Sequence, residues 1–266
     1  MNYLSAQFFP LAGPASTAEK AGFRFGAKGT HTSRTIMFEE LSTLFKCAEL
    51  AASRVDYTSV IVEQNCLAKS TTATRRLTNQ RLGELYALNI AVPIFRILRR
   101  LWDIDGQAQR LLALTCALAR DPLLAVTAPV IMALPESSEL LRDPLRSAVK
   151  HHVGDRLNDD SIDKVVRNTA SSWSQSGHLA GRTFKKRKLV EPKPVNIAYS
   201  LYIGYMAGFR GEELFSSGWM AILDCTPPAA IKLALDAKRM GLIDMKTAGE
   251  VIELDLTRLD RQGGTG

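Results

Sequence analysis

Past the N-terminal arm, the most apolar uncharged stretches run from Leu85 to Phe95, Pro122 to Pro135 and Pro194 to Phe209, which is 11, 14 and 16 residues. Each falls short of the roughly 20 residues an α-helix needs to cross a bilayer. Pro122, Pro129, Pro135 and Pro144 cut the middle of the chain further, because proline removes a backbone donor and ends or begins helices. A chain patterned this way predicts a bundle of short buried helices and no membrane span. Ile94, Leu98, Leu101 and Trp102 form one stripe at helical spacing, and Leu112, Leu114, Leu118 and Leu123 lead on to Val130, Ile131 and Leu134. At 266 residues and 46% hydrophobic, the chain can bury such a core without staples.

Cysteine usage argues against staples of any kind. Cys47, Cys66, Cys116 and Cys225 are scattered, with no C-x-x-C pair and no histidine at zinc-finger spacing. Scattered thiols fit a reducing compartment, so a cytoplasmic location and no metal or other cofactor are expected. The stretch from Leu4 to Leu11 is short and broken by Pro10, which is not the pattern of a signal peptide.

Net charge is +7, and its distribution is uneven. Residues 69–110 hold eight Lys+Arg against three Asp+Glu, and residues 150–190 hold nine against four, so each segment carries +5. The remainder sums to −3. Concentrated cations are the footprint of a phosphate-binding surface.

Three segments follow from the pattern. Residues 1–34 form an irregular N-terminal arm rich in Gly, Ala, Pro and Thr, read as a surface loop with a basic arm on phosphate as the sharper alternative. Its glycines lack the G-x-x-x-x-G-K-[ST] spacing of a P-loop. Residues 35–150 form a helical domain containing a possible helix-turn-helix. There a helix over Asp56–Ala68 precedes the cap candidates Ser70, Thr71 and Thr72 and a basic helix that presents Arg75, Arg76, Asn79 and Gln80. Residues 151–266 form a second helical domain with winged-helix-like elements.

The most informative segment lies between Asn158 and Val190. Ser161 is the expected N-cap of a helix whose inner arc holds Ile162, Val165, Val166, Thr169, Ala170 and Trp173. The opposite arc holds Lys164, Arg167, Asn168, Ser171, Ser172 and Gln175, a mixture suited to reading base edges in a major groove. Gly177 ends the helix and Gly181 opens a turn, followed by Arg182, Lys185, Lys186, Arg187 and Lys188. Polar helix then basic turn is the layout of a winged helix, with the helix on bases and the turn on phosphate.

Beyond a hinge at Pro192 and Pro194, Tyr199, Tyr202 and Tyr205 track one side of an apolar helix and read as core or interface. Pro227 and Pro228 begin another helix, capped by Gly241, and a neutral hairpin over Leu242–Met245 and Val251–Leu256 follows. No catalytic motif emerges. H-E-x-x-H and G-x-S-x-G are absent, and Asp155, Asp159, Asp160 and Asp163 read as a helix-start cluster rather than a nuclease metal site.

The order of these features resembles a known family. A Gly/Thr-rich Gly26–Arg34, a helical core with Leu111-Leu112-Ala113-Leu114, and the run Asp163–Trp173 followed by a basic turn are similar to the BrxA family of BREX bacteriophage-exclusion systems. That resemblance implies an all-helical, NusB-like or winged-helix protein acting as a non-catalytic DNA-binding component of phage defence. The expectation is therefore a mainly α helical bundle with one or two short β-hairpins that binds double-stranded DNA, alone or with other defence-system proteins. The alternatives are a scaffolding subunit of a multiprotein complex, or an RNA-binding NusB-like protein.

Overall fold

A computed structural model describes residues 8–9, 11–248 and 251–260; most of Leu4–Leu11, and Gly249 and Glu250, lie outside them. The fold is mainly helical, with two small antiparallel β-hairpins. Two helices form its centre. Helix α6 (Gln109–Arg120) is buried at every position from Leu111 to Arg120, and α11 (Pro194–Met206) from Val195 to Gly204. A helix with no solvent face belongs inside a protein core. The two pack against each other, and α5 (Pro93–Leu101) closes one side of both.

The remaining elements wrap this centre. Helix α1 (Ala15–Ala21) touches α5 and α11, and α2 (Phe38–Cys47) leads to the hairpin of α3 (Arg54–Val62) and α4 (Thr72–Tyr86). Short helices α7 (Pro122–Ala125) and α8 (Ala128–Met132) precede α9 (Arg142–Val153) and α10 (Asp159–Gln175), which pair. Past α11, α12 (Glu213–Ser216) and α13 (Gly218–Ala221) lead to α14 (Pro227–Arg239). Strands β1 (Leu179–Ala180) and β2 (Lys186–Arg187) form the first hairpin, and β3 (Asp244–Ala248) and β4 (Val251–Asp255) the second, which packs on α14. One continuous apolar cluster includes residues from both of the helical segments read from sequence.

Local signals explain several boundaries. Thr71 caps α4 by accepting from the Thr74 N–H, as its position before the basic helix suggested. Gly241 follows the end of α14 in a left-handed conformation, φ 74°. Other expectations need correction. The helix expected over Asp56–Ala68 starts at Arg54 under a Ser53–Asp56 capping box and stops at Val62. The apolar run Leu85–Phe95 is not one helix, because Ala87 and Leu88 adopt positive φ and break it. Of the three tyrosines, Tyr199 and Tyr202 are buried, while Tyr205 lies half-buried beneath the Arg210 guanidinium, 3.7 Å from its ring centre. Among the described residues no single helix is long and apolar enough to cross a membrane.

Candidate nucleic-acid interface

Helix α10 is the element on which the expected interface depends. Its N-cap is Asn158, whose Oδ1 accepts the Ser161 N–H at 2.9 Å; Ser161 is therefore a recipient of the cap rather than the cap. The expected inner arc is buried as read, from Ile162 to Trp173. The outer arc is not free along its length. Ser172 is fully buried, and Asn168 and Gln175 are half-buried.

What covers that arc is the segment expected to be an irregular arm. Residues 29–38 lie as a strap along α10. Asn168 Nδ2 donates to the His31 carbonyl at 2.8 Å, and Gln175 accepts from the Phe38 N–H at 3.1 Å while donating to Thr35 Oγ1 at 2.9 Å. Ser172 Oγ accepts the Ile36 N–H at 2.9 Å and donates to the Asn168 carbonyl. Asn168, Ser172 and Gln175, three of the six residues expected on the base-reading face, are thus spent on intramolecular bonds, and α10 cannot offer them to a major groove. Sequence periodicity alone could not reveal this, because it assigns a face without saying what lies on it.

A buried latch holds the strap. His31 Nδ1 lies 2.9 Å from Asp121 Oδ2, His31 Nε2 lies 2.8 Å from Ser172 Oγ, and the Thr30 N–H donates to Asp121 at 2.6 Å. A Cβ on Gly29 would come within 2.2 Å of Asp121 Oδ1, so the close approach requires glycine there. Burial works to raise the Asp121 carboxyl, but the His31 ring and the N–H groups of Leu124 and Thr30 outweigh it and hold the carboxyl below its ordinary value. Serine, histidine and aspartate stand in the order of a hydrolytic charge relay. However, both His31 and Ser172 are fully buried, and the Ser172 hydroxyl is saturated by Ile36, Asn168 and His31, which leaves a nucleophile no approach.

The basic turn is likewise divided. Residues 137–140 add themselves to β2, with Ser137 N–H bonded to the Arg187 carbonyl, Arg187 N–H to Ser138, and Leu140 N–H to Lys185. Strand β2 is therefore an inner strand, not a free wing edge. A side chain at Gly181, φ 104°, would strike the Phe184 carbonyl at 2.2 Å, so the turn depends on glycine. Arg187 points inward: its side chain is 1% exposed, pairs with Asp224 and donates to the Ile131 carbonyl at 3.2 Å. Expected as a phosphate contact, it is a structural residue. Alternation along the strand leaves its neighbour Lys186 exposed, opposite Glu139 across the ladder.

Several cations remain outside. Lys164, Arg167, Ser171 and Ser174 follow one another at three- and four-residue steps along α10, and Lys185 Nζ donates to Ser174 Oγ at 2.8 Å. Lys164 and Arg167 are exposed, as are Arg182, Lys186 and Lys188, and none of these five side chains has a hydrogen bond or ion pair among the described residues. Lys164, Arg167 and Lys185 form a cationic ridge along α10, and Arg182, Lys186 and Lys188 are exposed on the adjoining hairpin. Ser171 is half-buried beside it. Phe184, at the hairpin tip between Arg182 and Lys185, is 67% exposed. Sequence reading passed over Phe184, although an aromatic inside a cationic run was its available signal.

The expected helix-turn-helix cations contribute little. Arg75 is half-buried and caps carbonyls, donating to Val62 at 3.2 Å and Lys69 at 3.3 Å, while Arg76 is exposed. Asn79 accepts from Arg54 at 2.7 Å, and Gln80 donates to Glu84 at 3.0 Å. The acids near the start of α10 are engaged too, with Asp163 on Arg142 at 2.7 Å and Asp159 on Arg146 at 2.6 Å. Among the described residues no group of three or more His, Cys, Asp or Glu is placed to hold a metal ion.

These features define a mainly helical protein with exposed cations on α10 and on the first hairpin and an exposed aromatic at that hairpin's tip. No protein-family model matches the chain, and no curated protein matches it.

Proposed function

We propose that this protein binds double-stranded DNA through the ridge of Lys164, Arg167 and Lys185, together with Arg182, Lys186 and Lys188 on the hairpin. The carrying observation is that Lys185 sits on Ser174, which adds a hairpin cation to the α10 stripe of Lys164 and Arg167. Ten residues of helix separate Lys164 from Ser174, about 15 Å at the usual rise. That length suits contacts to both phosphate strands bordering a major groove about 12 Å wide. With Asn168, Ser172 and Gln175 withdrawn, binding comes from phosphate contacts and is insensitive to base sequence. Phe184 adds an exposed apolar contact at the hairpin tip. The resemblance to the BrxA family points to the same role, a cytoplasmic, non-catalytic accessory in phage defence.

Anisotropy of a short labelled duplex across a salt series tests the reading. Four or so phosphate contacts give a slope of log affinity on log salt of roughly −3 to −4. Lys164→Ala, Arg167→Ala, Lys185→Ala and Lys186→Ala combined should remove most of that slope and weaken binding by about 100-fold at low salt. Salt-independent binding, or a variant with unchanged affinity, overturns it.

A further inference from the structure

A cleft of about 940 Å3 lies between residues 23–26 (which precede the strap), the α7–α8 corner, α9 and α13. Its walls are Phe23, Phe25, Val126, Val130, Ala148 and Trp219, with further apolar side chains between them. That volume is in the range of pockets that enclose a small organic molecule. The polar side chains of the lining are few: Ser147 and three basic ones. Arg24, His151 and His152 face the cleft, and no Asp or Glu lines it.

Two of the lining polar groups are unsatisfied. His152 Nε2 is shielded from solvent and has no hydrogen-bond partner among the described residues. Trp219 is 3% exposed, and its indole Nε1–H also has none. Leaving a buried polar atom unpaired costs free energy, and native structures seldom do so without a use for it. Arg24 gives one N–H to the Glu84 carbonyl at 3.0 Å, and a guanidinium carries further donors. We propose that this cleft binds an amphiphilic carboxylate, a fatty-acid-like molecule whose alkyl chain lies among the aromatic and aliphatic walls and whose head meets Arg24 and His152.

The inference is independent of DNA binding, since no ridge residue lines the cleft. Dodecanoate titrated into the full-length protein by calorimetry, with tryptophan emission followed in parallel, tests it. The expected result is saturable one-site binding with a change in Trp219 emission. Dodecanol should bind about tenfold more weakly, because it forfeits the charge-assisted contact. Ser147→Phe and Ala125→Phe, which narrow the cleft from opposite walls, should each weaken dodecanoate by at least about tenfold in proteins with unchanged circular dichroism. His152→Gln should weaken it less. Absence of saturable binding overturns the proposal, as does equal affinity for dodecanol, or affinity unchanged in both narrowing variants.

Discussion

Residues 69–110 and residues 150–190 each carry +5, yet the fold uses the two sets of cations differently. In the first, Lys69 pairs with Glu40, Arg81 with Glu84, Arg96 with Asp260 and Arg99 with Asp103, while Arg75, Arg100 and Arg110 donate to carbonyl oxygens. Only Arg76 has no partner among the described residues. Those arginines tie loops and helix ends together, as a planar fork with several donors does well. In the second, Arg187 alone is buried, and five cations stand unpaired on the surface. Segment charge is therefore no measure of available charge, because a carboxylate offsets the charge of the arginine it pairs with, and carbonyls occupy the donors of the arginines they bind.

That contrast can be broken by substitution. The largest effect is expected inside the second region at its one structural cation. Arg187→Ala leaves Asp224 buried without its partner and should destabilise the fold by about 3–5 kcal/mol, read as a lower urea midpoint. Lys186→Ala, one position away, should leave that midpoint in place while weakening duplex binding. Equal stability effects at the two positions would remove the distinction between buried and available charge.

Stability should also depend on pH through His178, which is buried beneath the same hairpin. Its Nε2 lies 2.8 Å from the Ile222 carbonyl, and burial pushes its pKa from 6.5 down to about 4. Above 6.5 the ring is neutral in both states and its contribution is complete. As pH falls from 6.5 toward 4 the unfolded chain takes up a proton that the folded one refuses, so stability drops by about 3 kcal/mol in all. Thermal melts across that range check this, and His178→Gln should flatten the dependence.

Ser172→Ala should cost about 1–3 kcal/mol by orphaning the Ile36 N–H and loosening the His31 latch. It should leave duplex affinity unaltered, and a loss of affinity in a stably folded variant would restore base reading by α10. The smallest effect sharpens the comparison. Arg76→Ala should change duplex affinity less than about twofold, against a loss of severalfold for Arg167→Ala.

Parts of this organisation were legible in the residues themselves. The helical class, the inward arc of α10, the Thr71 cap and the Gly177 and Gly241 stops follow from periodicity and glycine conformation, which act over a few neighbouring residues. The placement of Lys164 and Arg167 on one exposed stripe follows from the same periodicity. Asn168, Ser172 and Gln175 obey it equally well, and it misled there because their partners are more than a hundred positions away in the strap.

Sequence by itself determined the helical content, the brevity of the apolar runs and which face of α10 turns to the core, since hydrophobic spacing and backbone preference are local. Only tertiary structure decided which cations remain available. Hydrogen bonds such as Arg187 to Asp224 and Lys185 to Ser174 join segments that become neighbours when the core closes, and no local pattern encodes that meeting.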